Sequence, residues 1–190
     1  MRGIGKDMAV VRLNDWPGLA AAHGLRQWPH VLRLADAAAG APFIGLVLLG
    51  SFARGEADEL SDVDFIVLTA ESDFSEAWEH RHDLHPTDAW CWDYARPAGD
   101  RDVAGHRWLT HDFALFDGLI CTPSGSRIAD PMHLLVGNDA LAGQLVRREP
   151  ITAEERHLRK DEVTLHEIER LYGQLKLALR AQRGTARAAN

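Results

Sequence analysis

An unbroken apolar run, Phe43 to Leu49 (FIGLVLL), stops at Gly50-Ser51, and a second apolar run, Phe65 to Leu68, follows aspartates at 62 and 64. A run of this length bounded by turn residues reads as a buried strand. Gly50 lets the backbone approach another group closely, and Ser51 offers a hydroxyl and an N–H. If Ser51 opens FARGE as a helical turn, the unsatisfied N–H groups of that turn favour an anion such as a phosphate. Alternate residues of a strand share a face, so Asp62 and Asp64 point one way while Val63, Phe65 and Val67 point the other. Two like charges side by side on an apolar strand are costly unless a cation joins them. A hard divalent ion is the natural partner, and Mg²⁺ fits best because it needs only one or two carboxylates and shares the rest of its shell with substrate phosphates. Taken singly, each residue is also explained by an ordinary turn or a strand-end charge; their order and spacing together favour a site.

The set Gly50, Ser51, Arg54, Gly55, Ser61, Asp62, Val63 and Asp64 resembles the signature of the nucleotidyltransferase superfamily, which includes DNA polymerase beta, the aminoglycoside nucleotidyltransferases and the minimal nucleotidyltransferase antitoxins. The strong match covers about residues 43–68. The resemblance implies an α+β fold, a mixed sheet flanked by helices. It also implies a nucleoside triphosphate donor, expected to be ATP, with two Mg²⁺ ions, and a third carboxylate on a later strand.

The stretch HRWLTHDFALFDGLICTP offers two candidates for that carboxylate and reads as a hairpin. Residues 106–110 form one strand, His111-Asp112 the turn, and Phe113 to Cys121 the returning strand. Period-2 counting makes Asp117 a lone charge among Phe113, Leu115, Leu119 and Cys121, whereas turn chemistry alone explains Asp112. Asp117 is therefore the expected third carboxylate, with Asp117-Gly118 as a second tight turn the competing reading. The resemblance gives Asp62, Asp64 and Asp117 the catalytic and metal-binding roles. Gly50, Ser51 and Arg54 are expected on the nucleotide, joined by Lys160, since a lysine of the C-terminal helices often reaches the phosphates in related enzymes. Arg54 is equally well explained as a solvated surface arginine.

Other chemistries fare worse. Gly45 to Ser51 has the glycine spacing of a P-loop but lacks its lysine, and its intervening residues are strand-like. His80, His82 and His85 do not align on one helical face, and no acidic or Cys partner set completes a zinc tetrahedron, which argues against a structural metal site. Cys91 and Cys121 read as reduced core thiols, and with no secretory h-region they point to the cytoplasm. No apolar run is long enough to span a membrane. The formal net charge of −7, from 21 basic and 28 acidic residues, argues against a nucleic-acid acceptor and is compatible with a cationic small molecule.

The 190 residues suit one principal domain, expected over 1–150, with a helical segment over 151–190. Helices are expected near 16–23, 29–39 and 71–82, and strands over 43–49, 62–69, 87–94 and 132–136. Thr152 and Glu155 form a capping box opening a long helix to about Arg183, whose apolar seam could cover the sheet, pair two subunits or bind a partner protein. Its basic stripe, Lys176, Arg180, Arg183 and Arg187, suits a helix C-terminus. The expected activity is transfer of AMP to a hydroxyl of a small aminoglycoside-like acceptor. The alternatives are a protein-adenylylating antitoxin and a non-catalytic nucleotide-binding or interaction module.

Overall fold

The structure, a computed structural model, describes residues 10–11, 16, 22–95, 103–129 and 131–149. The chain divides into two units, residues 1–149 and 150–190, and every described residue belongs to the first. The expected long C-terminal helix, its basic stripe and Lys160 lie outside the described residues, as does most of the helix expected near 16–23. In chain order the elements are β1 (Val10–Val11), α1 (Trp28–Ala38), β2 (Phe43–Leu48), α2 (Gly50–Arg54), β3 (Val63–Thr69) and α3 (Phe74–Glu79). They continue with β4 (Trp90–Ala95), β5 (Val103–Leu109), β6 (Leu115–Cys121), β7 (His133–Gly137) and α4 (Asp139–Ala142). Short 3-10 turns, Glu71–Asp73 and His80–Leu84, flank α3.

Pro29 in the first turn of α1 suits a position whose N–H has no helical partner, and Val31, Leu34, Ala35 and Ala38 form the buried stripe. The strands make one mixed sheet in the order β1-β7-β2-β3-β6-β5-β4. The pairing of β3 with β6 is parallel and the others are antiparallel. Both β2 and β3 are central, which is why their sequences are apolar on both faces. Leu46, Leu48, Val63, Phe65 and Val67 pack on one face with α1, Phe74 and Leu84, while Val47, Ile66 and Leu68 pack on the other with Ile128, Leu134 and Leu141. Asp64 falls in the alternation of Ile66 and Leu68, on the side away from α1. Among the described residues no helix is long and apolar enough to cross a membrane.

Several boundaries differ from expectation. The helix expected over 71–82 is only six residues long at its α-helical centre, with the 3-10 turns at either end. The β4 strand begins at Trp90 rather than at 87, because a turn closed by Ala89 N–H donating to Pro86 O at 3.0 Å comes first. The hairpin is real, but its loop runs from Thr110 to Ala114, since Phe113 sits at φ 63, outside any strand. The Thr110 hydroxyl closes that loop by accepting from Ala114 N–H at 2.9 Å. No turn interrupts β6 at Asp117-Gly118, whose partners on β5 run continuously.

Two readings of reactive side chains are corrected. Cys91 is exposed at the edge strand rather than in the core; only Cys121 is buried, where loss of hydration pushes its thiol up to about 12. The HRHDLH run does acquire a partner set: the fold brings Cys91 and His106 to His82 and His85, while His80 pairs with Asp83. These partners come from separate strands, so local spacing could not reveal them.

Candidate active site

The crossing from β2 to β3 is built by residues that leave the loop little freedom. Gly50 adopts φ +60, and a Cβ there would collide with Oδ2 of Asp64. Both the backbone conformation and the space therefore require glycine. Leu49 N–H donates to the Asp64 carbonyl at 2.9 Å, fixing the turn to the strand that carries the carboxylate. Phe52 anchors α2 in the core, and the Trp16 indole N–H donates to the Phe52 carbonyl at 3.2 Å. Gly55, at φ 71, ends α2 in the left-handed conformation typical of a helix C-terminus.

The segment leading to Asp62 is held by a residue that the sequence did not single out. Gln27 is fully buried, and its amide donates to the carbonyls of Asp58 at 3.1 Å and Ser61 at 2.7 Å. Within that segment Asp58 Oδ1 accepts from Leu60 N–H and from the Ser61 hydroxyl, both at 2.9 Å. Ser61 thus serves the loop's own turn, and the loop delivers Asp62 to the end of β3.

Three carboxylates converge. Asp64 of β3 and Asp117 of β6 are register partners across the parallel pair. Asp62 lies one strand-repeat from Asp64, just before β3 begins. Burial, then Asp62, then Asp117 push the Asp64 carboxyl up to about 7. Asp62 is raised as well, first by lost hydration and then by Asp117. Asp112, the other candidate, lies elsewhere: it sits in the β5–β6 loop, where it pairs with His30 at 3.1 Å and accepts from the Thr110 hydroxyl.

One counter-charge at this cluster was not anticipated. Arg107, the cross-strand partner of Asp117 on β5, meets it with two bonds, Nε to Oδ1 at 2.7 Å and Nη2 to Oδ2 at 2.5 Å. A fork of this kind fixes the plane of the carboxylate. Knowing the hairpin register would have exposed it, because Arg107 and Asp117 are equidistant from the loop. Arg54 contributes a weaker field that lowers Asp64, but its own partner is Glu56 at 2.6 Å. Ser51 is half-buried in α2, with its carbonyl accepting from Glu56 N–H at 2.9 Å.

The donor set suits a divalent cation. It is composed of oxygen ligands, it carries more negative charge than Arg107 offsets, and the raised Asp64 carboxyl reports that deficit. Residues 42–121, from the start of β2 through the end of β6, match the family model of the nucleotidyltransferase domain. The matched segment is thus consistent with a nucleotidyltransferase domain, a family whose general chemistry is nucleotidyl transfer, and it contains all three converging aspartates. No curated protein matches the chain significantly.

Proposed function

We propose that this protein transfers a nucleoside monophosphate, AMP from ATP, to a hydroxyl of a small cationic acceptor of the aminoglycoside type. The observation that carries the reading is the register of Asp64 against Asp117, with Asp62 beside them and Gly50 pressed on Asp64. In this reading Asp62, Asp64 and Asp117 hold two Mg²⁺ ions, which when bound lower the pKa of the attacking hydroxyl and neutralise the departing pyrophosphate.

The chain's own contribution is positioning, as expected for phosphoryl chemistry. The turn at Gly50-Ser51 brings backbone close to the triphosphate. Arg107 fixes the plane of the Asp117 carboxylate, and a remaining lone pair of Asp117 takes the hydroxyl proton as the acceptor oxygen bonds to the α-phosphorus. The bond from that phosphorus to the bridging oxygen breaks, and pyrophosphate leaves. The acidic balance of the chain, −7 overall, supports a cationic acceptor over a polynucleotide.

The test is incubation with Mg²⁺ and each of four labelled nucleoside triphosphates, with and without a panel of aminoglycosides. Acceptor-dependent pyrophosphate release with a nucleotidylated product, strongest with ATP, is expected. Nucleotide binding with no release under any acceptor would instead leave a binding module, and label appearing on a co-expressed protein would move the acceptor class to polypeptides.

A further inference from the structure

The opposite side of the sheet from the aspartates carries a second cluster. Asp117 and Arg107 share one face of the β5–β6 pair, so their neighbours His106 and Trp108 point to the other. There His106 meets His82 and His85, with ring centroids 5.3 and 5.2 Å away. Cys91, the register partner of Trp108 on edge strand β4, completes the group. One ligand atom from each of His82, His85, Cys91 and His106 lies within 4.8 Å of the other three.

We infer that His82, His85, Cys91 and His106 form a four-ligand site for Zn²⁺, which fastens the 3-10 turn His80–Leu84 to the outer strands β4 and β5. Two of the donor separations come close to those of a tetrahedral ion. His82 Nδ1 lies 3.2 Å from His85 Nε2 and 3.8 Å from Cys91 Sγ. Bond lengths of ~2.1 Å to nitrogen and ~2.3 Å to sulfur at tetrahedral angles give separations of about 3.4 and 3.6 Å.

The outer nitrogens of His85 and His106 are already committed in the manner of metal-bound histidines. His106 Nδ1–H donates to Asp93 Oδ1 at 2.8 Å, and His85 Nδ1–H donates to the Pro86 carbonyl at 2.8 Å. That leaves the Nε2 lone pair of each aimed inward. His106 is 1% exposed, and its Nε2 has no hydrogen-bond partner among the described residues. A buried acceptor without a partner costs stability unless something else binds it. Asp93 is itself braced by Arg81 at 3.3 Å. The two exposed ligands, His82 and Cys91, give the ion a way in.

Three imidazoles and one sulfur select Zn²⁺ over Mg²⁺ or Ca²⁺, which prefer oxygen. On binding, the ion exchanges its waters for three neutral imidazoles and the Cys91 thiolate, and the thiol proton is released to solvent. Neither ring burial nor a hydrogen bond between His82 and His85 accounts for the convergence of the sulfur and the orphaned His106 nitrogen.

The experiment uses the full chain, stripped with a chelator and refilled with Zn²⁺ or Co²⁺. One Zn²⁺ per chain that survives a Mg²⁺ wash is expected, together with a raised melting temperature. Co²⁺ is expected to give intense tetrahedral visible bands and a near-ultraviolet thiolate charge-transfer band. Cys91→Ser should remove the charge-transfer band, His82→Ala should weaken uptake, and Asp93→Asn should weaken Zn²⁺ binding about 10–100-fold. Asp64→Asn should leave Zn²⁺ uptake unchanged, which separates this site from the carboxylates. Absence of the charge-transfer band in the unsubstituted protein, or Zn²⁺ uptake that Cys91→Ser and His82→Ala both leave intact, overturns the inference.

Discussion

Asp64 concentrates the conflict between stability and function at the residue scale. Its carboxyl is raised to about 7 because burial and two neighbouring aspartates all oppose its charge. Asp64→Asn removes that conflict together with the oxygen that the proposed function assigns to the metal. Turnover should fall by at least about 10³-fold, in line with the loss of a principal electrostatic group, while the metal-free fold becomes more stable. Turnover within tenfold of the unsubstituted protein would dismiss Asp64 from the chemistry. Gly50 is the second sensitive residue. Gly50→Ala must hold an L side chain at φ +60 and displace the Asp64 carboxylate, so a loss of about 1–3 kcal/mol is expected. Chemical denaturation measures it, and a cost under ~0.5 kcal/mol would show that the turn relaxes. The identities of Gly50, Asp62 and Asp64 were legible because their types and spacing are local. The partner of Gly50 was not: it faces Asp64, a contact between two elements.

At the scale of elements, the parallel pair β3–β6 is what makes a site out of distant residues. It depends on a second close approach. A Cβ at Gly118 would overlap the Phe65 ring, and Phe65 packs against Trp108 at 5.0 Å between centroids. Gly118→Ala should push Phe65 off its position and cost about 1–3 kcal/mol, as overpacking does. Because Gly118 follows Asp117 and Phe65 follows Asp64, the substitution should also weaken Mg²⁺ binding, measurable by titration calorimetry. A variant as stable as the unsubstituted chain, with unaltered Mg²⁺ affinity, would refute this coupling. The hairpin and strand β6 could be read from alternation, with a boundary error at Phe113 because positive φ is not encoded by hydropathy. The pairing of β6 with β3 could not be read at all, since sequence patterns carry no record of strand neighbours.

For the whole molecule, two buried groups pull the pH dependence in opposite directions. Asp64 binds its proton more tightly folded than unfolded, so in chelator the fold loses stability as pH rises from about 4 to about 7. His106 does the reverse: its folded pKa of about 4 lies below 6.5, so stability is lost as pH falls through that window. The raw stability curve mixes both, and the difference between the unsubstituted chain and Asp64→Asn isolates the first. That difference should be small at pH 4, grow to a few kcal/mol in favour of Asn by pH 8, and shrink when Mg²⁺ is added. A difference that is constant across this range would contradict the assignment to Asp64.

The sequence by itself determined the strand–turn–strand run from Phe43 to Leu68, its acidic pair, and the resemblance to nucleotidyltransferases, because hydrophobic alternation and turn chemistry act between residues near in the chain. Alternation already favoured Asp117 over Asp112, but tertiary structure alone decided that Asp117 stands against Asp64, that Arg107 braces it, that Gln27 holds the approach to Asp62, and that Cys91 and His106 join His82 and His85. Each of these is a meeting between elements, fixed by sheet order and register, which arise from the packing of the entire core rather than from any local pattern.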